Sequence, residues 1–122
     1  MTEINFILLY VESPPKSEAF YAQILGRPSI ESSPTFVMFA MPSGVMLGLW
    51  GRDGVKPAAT PPGGSDFAFA LEGSAAVDTL HDEWRAKGVK IIQAPVAMDF
   101  GYTFTALDPD GHRLRVFAPG AN

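Results

Sequence analysis

The spacing of apolar positions changes period several times along the chain, and the order of changes occurs twice. Residues 4–11 (INFILLYV) form a nearly continuous β-prone run. Ser13-Pro14-Pro15 follows, an N-cap residue with proline in the first helical turn. Phe20, Tyr21, Ile24 and Leu25 recur at helical spacing, and Gly26 ends the helix. Short strands are expected around 29–33, 35–40 and 45–50, with Pro42-Ser43-Gly44 turning the chain between the last two.

Residues 51–64 (GRDGVKPAATPPGG) have linker composition, and then the order recurs. Residues 66–71 (DFAFAL) alternate like a strand. Ser74 is the expected N-cap of a helix with Val77, Leu80 and Trp84 as its apolar stripe and Gly88 at its end. Strands follow at 91–94, 102–107 and 113–117, with Asp108-Pro109-Asp110-Gly111 as the turn before the last. The pattern predicts an α+β protein of two βαβββ modules, residues 1–50 and 65–122, joined by the linker 51–64. A helix covers only one face of such a sheet. Two modules curved around a shared cleft would cover the other; a ferredoxin-like pairing is the alternative architecture.

Composition narrows the function. The 122 residues are 47% hydrophobic and 18% charged, which fits a globular domain and excludes general disorder. Net charge is −4, and the nine Lys and Arg form no basic stripe, so nucleic acid is not an expected partner. Cysteine is absent and histidine is limited to His81 and His112, which removes thiolate chemistry and His-rich metal centres. No apolar run reaches the roughly 20 residues of a membrane span. Met1-Thr2-Glu3 carries no basic run, so the expectation is a cytoplasmic protein without a signal peptide. The Gly-rich linker lacks GK[ST] and a following helix, so it is not a phosphate cradle.

Strand alternation assigns the faces. Leu47, Leu49, Phe67, Phe69, Leu71, Leu114 and Val116 are expected beneath the helices. The opposite face receives Phe6, Tyr10, Met46, Gly48 and Trp50 from one module. From the other it receives Asp66, Ala68, Ala70, Arg113, Arg115 and Phe117. Small residues leave volume and aromatic rings offer flat walls, the lining expected for a planar aromatic ligand. No His, Glu or Lys is poised there for proton transfer. Trp50 is either a stacking wall or ordinary packing; Trp84 is expected in the core. Asp66 and Arg115 either pair or end in solvent. Phe100 and Tyr102 flank a glycine in a loop that could form a flap, and His112 is expected to be solvated in its turn.

The order of elements, with LLYVES and SEAFYAQILG opening the chain and DPDGHRLRVF closing it, resembles the vicinal oxygen chelate superfamily. That superfamily includes glyoxalase I, extradiol dioxygenases and bleomycin-resistance proteins. LLYV, the strand ending in Trp50, Glu83-Trp84 and FGYTF followed by DPDGHRLRV are most similar to its phenazine-resistance proteins, which bind rather than transform. The resemblance implies a homodimer whose clefts are completed across the subunit interface. It places the metal-ligand positions of the enzymes on Phe6, Gly48, Asp66 and Arg115. Only Asp66 can ligate a divalent ion, so no metal, cofactor or catalytic residue is expected. The function implied is sequestration of a small aromatic or hydrophobic molecule. Trp50 would stack, Phe6, Phe36 and Gly48 would shape the slot, Asp66 and Arg115 would anchor polar groups, and Tyr102 would close it. A divergent glyoxalase- or dioxygenase-like enzyme and a scaffold with a filled cleft are the alternatives.

Overall fold

A computed structural model describes residues 2–120. The chain divides into two compact units, one ending at Pro62 and the other beginning at Gly63. The first holds β1 (Phe6–Val11), α1 (Pro14–Leu25), β2 (Glu31–Ser32), β3 (Phe36–Ala40) and β4 (Met46–Gly51). The second holds β5 (Asp66–Ala70), α2 (Ser74–Ala86), β6 (Lys90–Met98), β7 (Gly101–Leu107) and β8 (Arg113–Pro119). Each is therefore βαβββ, an α+β unit.

The strand orders are β1-β4-β3-β2 and β5-β8-β7-β6. In each unit the first strand pairs in parallel with the last, and the other neighbours are antiparallel. Parallel neighbours need a crossover, which the helix supplies, while antiparallel neighbours need only a turn. The last strand thus sits between its unit's first and third strands. Its side chains have neighbours on both sides.

Local signals explain the first helix. The Ser13 hydroxyl accepts from the Lys16 N–H at 3.3 Å, Pro14 and Pro15 occupy the first turn, and Gly26 closes it at φ +68°. Glu18 on α1 accepts hydrogen bonds from Ser29 and Ser32, which ties the short edge strand β2 to the helix. Leu9, Val11, Val37, Phe39 and Leu49 are buried on the α1 side, where Tyr21 of α1 is also buried. In the second unit Val77 and Trp84 of α2 meet a sheet face built from Phe69, Phe104, Ala106, Leu114 and Val116.

Four sequence expectations need adjustment. The α2 N-cap is Gly73, at φ +89°, and Ser74 is the first helical residue without a side-chain cap bond. The expected linker begins as ordered chain: Gly51 belongs to β4, Arg52–Gly54 make a short 3-10 turn, and Val55 is buried. Strand β6 runs to Met98, well beyond the expected residue 94, with two register irregularities that interrupt simple alternation. His112 is buried rather than solvated. The Asp108 carboxylate accepts from the backbone N–H groups of Asp110 and His112, both at 2.9 Å. This local competition for backbone donors folds the turn back on itself. The imidazole then packs edge-on against Phe67 at 6.2 Å.

Candidate functional site

The site begins with β8 and its central position. Leu114 and Val116 alternate under α2, so Arg115 projects from the opposite face. Ala68 of β5 is its direct register partner and leaves room beside it. Asp66 lies one pleat away on the same face, and the arginine reaches back to it, Nε donating to Oδ2 at 2.8 Å. On the other flank Nη1 donates to Thr103 Oγ1 at 3.2 Å and to Gln93 Oε1 at 3.4 Å. Thr103 in turn donates to the Val116 carbonyl oxygen, and Thr105 donates to Gln93 Oε1. The network ties β5, β6, β7 and β8 together around one guanidinium.

An aromatic pair flanks it. Phe100 packs edge-on against Phe117 at 5.9 Å, and the Arg115 Cζ lies 5.8 Å from the Phe100 ring centre. Gly101 sets the Phe100 backbone. A Cβ at Gly101 would lie 2.1 Å from the Ala118 carbonyl oxygen, so only glycine lets β7 approach β8 there.

In the first unit the matching face is apolar. Trp50 pairs in register with both Tyr10 and Phe36, its ring edge-on to Tyr10 at 6.3 Å. Beside it lies a pocket of about 160 Å³ whose walls include Pro14, Pro34, Thr35 and Arg52. Phe6 and Leu8 are each 44% exposed. The space that Gly48 was expected to leave open is taken by its neighbours. A Cβ there would lie 2.7 Å from Leu8 Cδ2 and 2.9 Å from Phe36 Cζ.

The expected site residues therefore separate. Asp66 and Arg115 come together; Phe6, Phe36, Gly48 and Trp50 share the open face of the first sheet. Tyr102 joins neither group. It follows the parity of Phe104 and lies toward α2, where its hydroxyl donates to Asp78 Oδ1 at 2.7 Å. A flap role does not suit a side chain tied to that helix. Trp84 is in the core, 1% exposed, between Phe69 and Phe104. His81 of α2 packs edge-on against Phe104 at 5.3 Å.

The Tyr102–Asp78 bond has a pH signature. The hydrogen bond to the carboxylate, then desolvation and repulsion from the Asp78 charge, raise the phenol above its ordinary value of 10.0. A raised folded value means that this bond stabilises the fold fully below the unfolded pKa and ceases to do so as pH rises through the folded one. Asp78→Asn should lower the alkaline midpoint of one of the three tyrosines in a tyrosinate-absorbance titration. Unchanged titration in the variant would contradict the assignment.

Gln93, Thr103 and Thr105 were not anticipated. Thr103 and Thr105 had a legible signal, two hydroxyl residues alternating through a strand otherwise apolar from Tyr102 to Leu107. Both are buried, at 0% and 2% exposure, so their hydroxyls require partners. Gln93 had no such signal because it sits between the irregularities of β6.

Of the four positions that the family resemblance marks, Phe6 and Gly48 offer no donor and Arg115 offers a fixed positive charge. Asp66 already accepts from that guanidinium. A protein-held divalent ion needs about three ligands, and these residues do not fit one. Among the described residues, no group of three His, Asp or Glu side chains is placed to hold a metal. Nor is any helix there long and apolar enough to cross a membrane.

Comparisons with known proteins agree with this architecture. The phenazine antibiotic resistance protein EhpR of Enterobacter agglomerans is 31% identical over 115 residues, covering 92% of this chain and 88% of the relative. A protein of Agrobacterium tumefaciens with a solution NMR structure is 49% identical. It covers 99% of this chain and 100% of its own, with a TM-score of 0.90. A glyoxalase/bleomycin resistance protein/dioxygenase from Nocardioides is 26% identical, with a TM-score of 0.83 and coverage of 98% and 84%. The family profile runs from residue 3 to residue 116, through both βαβββ units, and the chain belongs to the Glyoxalase/Bleomycin resistance protein/Dioxygenase superfamily.

Proposed function

We propose that this protein binds a small planar aromatic compound and holds it without chemical change. The observation that carries the reading is the Arg115–Asp66 pair, with Phe100 and Phe117 beside it, on a sheet face where the family's enzymes would present metal ligands. With the Asp66 carboxylate held by the guanidinium, the pair offers neither a free base for proton abstraction nor a ligand set for a Lewis acid. It leaves an arginine edge flanked by aromatic rings, a surface suited to recognition. The similarity to the Enterobacter agglomerans phenazine antibiotic resistance protein supports the same class of ligand. Within the first unit, Trp50 is half-buried, stands edge-on to Tyr10 and carries the largest π-surface on its sheet face, and it is the stacking surface this reading assigns to that unit.

Titration with a panel of planar aromatic compounds, phenazines included, tests this by tryptophan fluorescence. The expected result is a saturable change that weakens in Trp50→Phe, while Trp84, sealed in the core, reports little. Absence of saturable binding by every compound would overturn the proposal.

A further inference from the structure

Resting on that reading, we propose that the ligand class is an aromatic acid whose carboxylate is read by the free edge of Arg115. The argument is a count of donors. A guanidinium has five N–H groups in a planar fork and keeps its charge in proteins. Nε spends its single donor on Asp66, and Nη1 has partners in Thr103 and Gln93. Among the described residues Nη2 has none, and it carries two donors. The side chain is 20% exposed, so water reaches it but does not surround it.

The three bonds that are made hold the fork still. Asp66 lies on one side and β7 and β6 on the other, so the guanidinium cannot turn to offer a different edge without breaking them. Fixing a donor before the ligand arrives lowers the ordering cost of binding. The neighbouring rings then select what accompanies the anion. Phe100, 44% exposed, packs against Phe117, and together they give an apolar surface beside the cation. An oxyanion attached to a flat ring satisfies both the charged edge and the apolar surface. The chain as a whole carries −4, so recognition of an anion here is local rather than a matter of long-range attraction.

Calorimetric titration with a matched set decides this: phenazine carboxylate, phenazine carboxamide and unsubstituted phenazine. The wild-type protein is expected to prefer the acid to the amide by at least about tenfold, since hydrogen bonds to an ionised acceptor are about twice as strong as neutral ones. Arg115→Met should erase that preference while the amide still binds. Arg115→Lys, which keeps the charge and loses the fork, should restore only part of it. The wild-type acid-to-amide ratio stands as a test even where a variant folds poorly. Equal wild-type affinity for acid and amide overturns this inference and leaves the binding reading intact, as does a preference that survives in Arg115→Met. Failure of all three compounds to bind overturns this inference, and failure of the whole aromatic panel overturns the binding reading as well.

Discussion

Trp84→Ala is expected to lower stability by about 3–5 kcal/mol, the cost of truncating a large buried aromatic. The side chain is 1% exposed and stands edge-on to Phe69 and Phe104, each at 5.5 Å. It therefore connects α2 to both β5 and β7, and its removal leaves a cavity in the core of the second unit. At about 4 °C per kcal/mol for a chain of this size, the fall in Tm is about 12–20 °C. Trp84→Phe should cost much less. Among the described residues the buried indole Nε1 has no hydrogen-bond partner, so phenylalanine removes a polar atom that gains nothing from them. Thermal unfolding of the two variants checks the pair. A loss below about 1 kcal/mol in the alanine variant would mean that Trp84 does not anchor the helix.

The second large effect belongs to Gly101→Ala. Two penalties coincide at this position: φ is +147°, and a Cβ would lie 2.1 Å from the backbone oxygen of Ala118. A backbone atom in the sheet cannot swing aside as a side-chain tip can. Either β7 separates from β8 or the residue adopts another conformation, and both disturb the hairpin that carries Phe100. The expected cost is about 3 kcal/mol, strain and lost strand pairing together. Gly111→Ala is the control. Its φ is +92° but nothing lies within 4 Å of a Cβ, so it should lose only the conformational term of about 1–2 kcal/mol. Equal losses in denaturant titrations of the two variants would show that the close approach to Ala118 is not the cause.

Much of the architecture is legible in the amino-acid sequence. Ser13 with two prolines, and Gly26 after a helical stripe, are local signals, and they mark the ends of α1 where the structure has them. Alternation in Arg113 to Phe117 correctly separated Leu114 and Val116 from Arg115, because a strand has only two faces. The same logic placed Trp84 in the core through its spacing from Val77. Local rules failed where a partner far along the chain decides. His112 became buried because the Asp108 carboxylate captured two backbone N–H groups and Phe67 covered the ring. Tyr102 was expected near the ligand, yet Asp78 of α2 claims its hydroxyl. The irregular register of β6 hid Gln93 from any period-two reading.

The chain by itself determined the two βαβββ units, the face to which each regular strand residue turns, and the poverty of metal donors. All three depend on near neighbours in sequence or on residue chemistry alone. Only tertiary structure decided that the Arg115 guanidinium meets Asp66, Thr103 and Gln93, contacts spanning 49, 12 and 22 positions of the chain. It also decided that Leu8 and Phe36 fill the space over Gly48. Such contacts follow from strand order and register, which long-range backbone pairing sets, and a pattern of apolar spacing carries no record of which strand lies beside which.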